Sequence, residues 1–174
     1  ISFSAQVRTF LQAMDMDLLR RVDGATMDLV ARRYADAFWA YPPRLDPAVP
    51  STLTALRQKG YKLGLISNTG ATPGHLFRDY LARLCIDIHF QVLTFSNEIG
   101  IAKPSTKIFH LTLEQLDVHP SQAVHVGDQL WFDVLGASRA GMGAIWLRGF
   151  DESLPQKRPD LTIDRLGELA ALLD

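Results

Sequence analysis

Apolar residues recur every three or four positions through the opening of the chain. Val7, Phe10, Leu11, Met14, Leu18, Leu19 and Val22 form one such stripe, which predicts an amphipathic helix ending near Gly24. Val30, Ala31, Tyr34, Ala37 and Phe38 form a second, with Thr26 as its N-cap and the Pro42-Pro43 pair as its stop. Tyr41 to Pro50 carries Pro42, Pro43, Pro47 and Pro50 and reads as a hinge or linker. Beyond it the rhythm changes, and helical stretches alternate with short apolar runs. The pattern predicts a helix from Ser51 to Lys59 before Gly60, a strand Lys62 to Ile66, a helix Pro73 to Leu84 and a strand Gln91 to Phe95. A helix Ser105 to Leu116, a strand Ala123 to Val126, a helix Leu130 to Ala140 stopped by Gly141 and a strand Ala144 to Leu147 follow. A proline-containing charged loop from Asp151 to Asp160 leads to a last short strand and a helix from Asp164 to Leu173. Such alternation predicts an α/β fold of parallel strands with covering helices. The division follows: a helical segment over 1–45 and an α/β region over 46–174. No internal repeat or low-complexity segment interrupts it.

Composition narrows the function classes. A chain of 174 residues fits one domain with a small appendage, because single cores commonly take about 100 to 200 residues. Eighteen basic and 19 acidic residues give a net charge of −1, without a long run of one sign. No general field draws nucleic acid or an anionic membrane, so any phosphate binding must be local. Cys85 is the only cysteine, which excludes an intrachain disulfide framework and any CxxC metal or redox site. Its apolar helical context predicts a buried thiol in a reducing cytoplasm. The opening residues lack a basic start and an apolar core of signal length, and no stretch approaches the ~20 apolar residues of a membrane span. Ile1 in place of methionine suggests processing or a fragment.

The candidate chemistry lies at strand ends. In open α/β sheets, ligands bind beyond the carboxyl ends of the strands, where loops carry polar groups. Ser67 and Asn68 follow the run Leu63 to Ile66, Lys103 stands before Pro104, and Gly127-Asp128 follows Ala123 to Val126, with Asp133 further on. A serine hydroxyl with neighbouring amides suits phosphoryl oxygens, and a lysine suits the charge that builds up in transfer. An aspartate is a hard oxygen ligand for Mg²⁺. Gly127 is expected to permit the sharp turn that delivers Asp128. Read without context, Asp133 is either a first-turn carboxylate or a partner of the metal or Lys103. His125 reads as structural, and Trp131 and Phe132 as packing residues outside the site.

Taken together, Leu65-Ile66-Ser67-Asn68, Lys103-Pro104 and Val126-Gly127-Asp128 through Asp133 resemble the second, third and fourth motifs of the haloacid dehalogenase-like (HAD) hydrolases, in their capped phosphatase branch. Ser96 to Gly100 and Gly136 to Met142 are similar too. The resemblance implies a Rossmann-like core with a helical cap remnant in the opening residues. It also implies Mg²⁺-dependent hydrolysis of phosphate monoesters of small molecules. In it Ser67, Asn68 and Lys103 bind phosphate, Asp128 and Asp133 serve the metal, and Ser67, Lys103, Asp128 and Asp133 form the catalytic set. The metal motif argues against a dehalogenase, whose chemistry in this family uses none.

The family's first motif, a central strand ending in Asp-x-Asp that supplies the nucleophile, has no counterpart. The chain's Asp15-Met16-Asp17 interrupts a helical stripe and reads as solvated helix carboxylates. Three readings follow: the downstream part of an ordinary phosphatase, a truncated protein with altered or reduced activity, or a catalytically incomplete binding or interaction module. In all three the strands carrying Ser67 and Asp128 lack a neighbour, leaving backbone groups that must pair with each other, with a rebuilt segment or with another chain. A homodimer or swapped oligomer is the expectation.

Overall fold

The described residues of the computed structural model are 3–70, 72–149, 151 and 157–173; the side chains at 3, 4, 16, 18 and 19 fall outside that set. Expectations that rest on Leu18, Leu19 and residues 152–156 of the loop therefore lie outside it. Three helices open the chain: α1 (Phe3–Met14), α2 (Met16–Arg21) and α3 (Gly24–Ala40). One continuous first helix was expected, but it breaks at Asp15, whose Oδ1 accepts the Asp17 N–H at 2.8 Å. A short polar side chain competes here with the helical backbone bond. The N-cap of α3 is Asp23 rather than Thr26: Asp23 Oδ1 accepts the Thr26 N–H at 2.7 Å, satisfying a donor that the helix start leaves free.

The α/β region contains α4 (Val49–Gln58), β1 (Gly64–Ser67), α5 (Gly74–Arg83), β2 (Val92–Phe95), α6 (Ser96–Ile99) and α7 (Thr106–Leu116). It continues through β3 (Val124–Gly127), α8 (Gly136–Arg139), β4 (Gly143–Leu147), β5 (Leu161–Ile163) and α9 (Leu169–Leu172). All three strand pairings are parallel: β1 with β2, β3 with β4, and β4 with β5. The helix expected from Leu130 begins instead as a π turn over Leu130–Leu135 and becomes α-helical only at Gly136.

Alternation along the strands sends neighbouring side chains to opposite faces. Leu63 and Leu65 pack with Leu53 of α4 and Leu81 of α5, whereas Ile66 joins Ile108 and Phe109 of α7. On β4, Ala144 and Trp146 meet the α7 layer, while Ile145 and Leu147 pack with Ile163 and Leu169. Helices thus cover both faces, and the α7 layer runs from β1 across to β4. The opening helices dock on this region through Phe38, whose ring meets Phe77 and Tyr80 edge-on at 5.3 and 5.9 Å. The Tyr80 hydroxyl donates to Pro43 O.

The strands form two separate sheets, β1–β2 and β3–β4–β5. Leu63 turns both its N–H and its C=O toward Gln91, next to β2, so alternation aims the backbone groups of Gly64 and Ile66 away from β2. Ala123 O accepts from Gly143 N, which likewise aims those of Val124 and Val126 away from β4. Among the described residues no strand pairs with either edge, so the two strands do not satisfy each other.

The thiol of Cys85, expected in the interior, is exposed. The residue follows the C-cap of α5 with φ 54°, a left-handed position that turns the chain outward. Its neighbour Ile86, 3% exposed, takes the core position. No helix among the described residues is long and apolar enough to cross a membrane.

Candidate active site

The carboxyl ends of β1 and β3 open on one cavity of about 400 Å³, lined by Ser67, Asn68, Gly70, Lys103, Asp128, Gln129, Phe132 and Asp133. Every residue expected at the site thus reaches the same place. Gly70, Gln129 and Phe132 were not among the expected site residues. Phe132, 38% exposed, lines the cavity, and Trp131 lies outside the core at 43% exposure, its ring 5.9 Å from the Arg139 guanidinium. The only sequence signal for Phe132 was its place between Asp128 and Asp133.

Beneath the cavity lies a buried polar network. Lys103 Nζ donates to Asp133 Oδ1 at 2.6 Å and to Ile66 O at 3.1 Å. The lysine therefore sits between the two unpaired edges, with β1 on one side and Asp133 on the other. An ammonium carries three N–H donors, which leaves one for a ligand. Asp133 Oδ1 also accepts from His125 Nε2 at 2.9 Å, and Oδ2 accepts from the Gln129 N–H at 3.0 Å. With two lone pairs on each oxygen, the carboxylate has one acceptor position left. Asp133 thus combines both expected readings: it contacts Lys103, and as a first-turn carboxylate it accepts the Gln129 N–H at the start of the π turn.

Burial pushes the Asp133 carboxyl up, but the His125 hydrogen bond and the Lys103 ammonium outweigh it and hold its pKa at about 2. Burial pushes the His125 imidazole down, more strongly than Asp133 raises it. The ring is therefore neutral near pH 7. A carboxylate can only accept, so Nε2 carries the ring proton. The expectation of a structural His125 captured its burial against the Phe109 ring, 5.1 Å away and perpendicular, and missed its polar partner.

Gly127 matters for space rather than for a turn. A Cβ there would lie 2.2 Å from Asp133 Cγ, inside any permitted contact, and its φ is not in the left-handed region. Asn68 holds Lys103 reciprocally: its Nδ2 donates to Lys103 O at 3.0 Å, and its Oδ1 accepts the Lys103 N–H at 2.9 Å. Its side chain fixes the lysine loop and is not free for a ligand. The Ser67 hydroxyl and the Asp128 carboxylate have no protein partner among the described residues and line the cavity. Trp146 Nε1 donates to Asp128 O at 3.1 Å and steadies that loop.

A hard divalent cation fits this donor set. Asp128 offers a free carboxylate and Asp133 one spare lone pair, although no three His, Cys, Asp or Glu side chains cluster among the described residues. Mg²⁺ is commonly held by one or two carboxylates with substrate phosphate and water completing the shell. Asp15 and Asp17 line no part of the cavity. Asp15 caps the start of α2 and Asp17 lies 3.6 Å from Arg20 at the surface, as expected for solvated helix carboxylates.

Residues 3–141 match a family model described as haloacid dehalogenase-like hydrolase. The match reaches into the opening helices as well as the α/β region. The chain is 38% identical over 163 residues to a glyceraldehyde 3-phosphate phosphatase of Methanopyrus kandleri, covering 88% of this chain and 68% of that protein. It is 35% identical over 144 residues to a phosphoserine phosphatase of Thermus thermophilus, covering 80% of this chain and 56% of that one. A HAD phosphatase from Thermococcus onnurineus superposes with a TM-score of 0.69 at 34% identity, over 80% of this chain and 64% of the other. The chain thus spans little more than half to two thirds of these relatives.

Proposed function

We propose that this chain, which belongs to the haloacid dehalogenase-like hydrolase family, serves as a Mg²⁺-dependent hydrolase of small phosphate monoesters. One observation carries the reading: Ser67, Lys103, Asp128 and Asp133, drawn from three separate loops, line a single cavity. The relatives named as phosphatases of glyceraldehyde 3-phosphate and phosphoserine support a small phosphorylated substrate.

In this reading the Ser67 hydroxyl and the Asn68 N–H bind phosphoryl oxygens, and the free N–H of Lys103 faces the charge that grows in phosphoryl transfer. Asp133 holds Lys103 in place, and Asn68 fixes its backbone. Asp128 would hold Mg²⁺, with Asp133 in support through its remaining lone pair. Bound there, the ion supplies Lewis-acid stabilisation of phosphoryl charge.

A second reading is favoured by one feature. Among the described residues the cavity-lining carboxylates are Asp128 and Asp133; the second is committed to Lys103, His125 and Gln129 and the first would hold the metal, so neither is left over for nucleophilic attack. A module that binds a phosphorylated ligand without turnover is the alternative. Incubation with a chromogenic aryl phosphate, with and without Mg²⁺, separates the two. Metal-dependent release lost in Asp128→Asn and kept in Asp15→Asn supports the hydrolase. Phosphate binding without release favours the module, and loss in both variants would return the helix carboxylates to the chemistry.

The unpaired edges of β1 and β3 lead us to propose further that a homodimer or swapped assembly covers them. A monomeric mass at micromolar concentration, with both strands protected from hydrogen exchange, would refute that. The unpaired thiol of Cys85 suits a reducing compartment such as the cytoplasm.

A further inference from the structure

His125 is the buried group that the proposed chemistry leaves without a task. Its side chain is 12% exposed, that of Lys103 11% and that of Asp133 4%. Three donors converge on the Asp133 carboxylate: the Lys103 ammonium, the His125 ring and the Gln129 amide. The ammonium sits at the end of a flexible four-carbon stem, and the Gln129 amide belongs to the π turn that carries Asp133 itself. His125 is different. It stands on β3, its ring is wedged edge-on against Phe109, and its hydrogen bond ends on the same oxygen that receives Lys103.

We infer that His125 is a positioning residue: its Nε2–H, 2.9 Å from Asp133 Oδ1, fixes that oxygen so that the lysine ammonium is presented to the bound phosphoryl group. The inference rests on the phosphate-site reading above and adds to it a residue that touches neither ligand nor metal. The role is that of a donor, not of a charge. Geometry requires this: Nε2 stands 2.9 Å from a carboxylate oxygen that can only accept, so the ring donates there. The tautomer is fixed by the same logic, because the partner oxygen has no proton to give.

The test compares His125→Gln, whose amide N–H can replace the Nε2–H, with His125→Leu, which fills similar space without a donor. Inorganic phosphate affinity is read by calorimetry, and correct folding by circular dichroism. His125→Leu is expected to weaken phosphate about tenfold, the scale of one lost hydrogen bond to a charged group, while His125→Gln stays within about threefold of the parent. Equal affinity in both variants and the parent overturns the inference, and so does equal loss in both variants. If His125→Leu does not fold, ring ¹⁵N shifts of the unmutated protein decide: a proton on Nε2 supports the assignment, and an Nδ1–H tautomer with a bare Nε2 refutes it. Failure of the unmutated protein to bind phosphate would sink the site reading instead, and the ring shifts would still judge the hydrogen bond.

Discussion

The strands of this protein fall into two kinds. β2 and β4 are buried, with Val92, Thr94, Phe95, Ala144 and Ile145 all at 7% exposure or less. β1 and β3 are half-buried, begin at the exposed Gly64 and Val124, and among the described residues each keep one edge without a strand partner. Yet Ser67 and Asp128, which offer free polar groups to the cavity, stand at the ends of β1 and β3. The well-packed strands bury more apolar surface, and the half-buried pair presents the cavity-lining polar groups. Between the exposed pair, a strand ladder is replaced by side chains: Lys103 reaches Ile66 O on one side and Asp133, seated against Gly127, on the other. A buried ion pair of this kind is a weak general source of stability. Here its value lies in holding two strand ends at one cavity.

Breaking that tie is expected to have the largest effect. Lys103→Met leaves the Asp133 carboxylate buried without its cation and should cost about 3–5 kcal/mol, measured as a lower urea midpoint, with phosphate binding abolished. Gly127→Ala should come next. Its Cβ cannot coexist with Asp133 in place, and overpacking on this scale costs up to about 3 kcal/mol, with a parallel loss of phosphate affinity.

Acid should loosen the same tie by a slightly smaller amount. Asp133 has its pKa held at about 2, below the ordinary 3.8, so folding favours its ionised form. The linked stability, on the order of 2 kcal/mol, is complete above about pH 4 and disappears as pH falls through about 2. His125, lowered by burial, adds a loss that begins earlier, because below about pH 6.5 the unfolded ring takes a proton that the folded ring resists. Urea midpoints between pH 2 and 7 should therefore fall on the acid side, and less steeply in Asp133→Asn. A flat profile would detach both groups from the fold.

The smallest effect on stability is expected on the open edge itself. Val124, 37% exposed, can become lysine within about 0.5 kcal/mol, but a charge there blocks edge pairing. If a second copy covers β3, Val124→Lys should turn a dimeric mass into a monomeric one and lower the urea midpoint only by what dimerisation had added.

The element order was legible because each strand and helix writes its burial into its period: Leu63 and Leu65 against Ile66 is a two-face strand in three side chains. The ends were less so. Asp23 capped α3 in place of Thr26, and the π turn at Leu130 kept enough helical apolar spacing to pass for an α-helix. Cys85 looked buried because its neighbours are apolar, yet a left-handed φ exposed it. At the site, the motif residues announced themselves through strand ends and resemblance. The network did not, since Lys103 and Asp133 are separated by 30 positions, and nothing local to His125 says that its ring meets that same carboxylate. The use of the Asn68 side chain on the Lys103 backbone was equally invisible, because a side chain that serves a distant loop leaves no local pattern.

The central claim is that one anion site is assembled from the ends of β1 and β3 around Lys103. The most direct test is a titration of the ¹⁵N-labelled protein with inorganic phosphate, followed at the backbone amides. The claim requires saturable shifts at Ser67, Asn68 and Lys103 that vanish in Lys103→Met. Phosphate shifts confined to other surfaces, or unchanged in Lys103→Met, would contradict it.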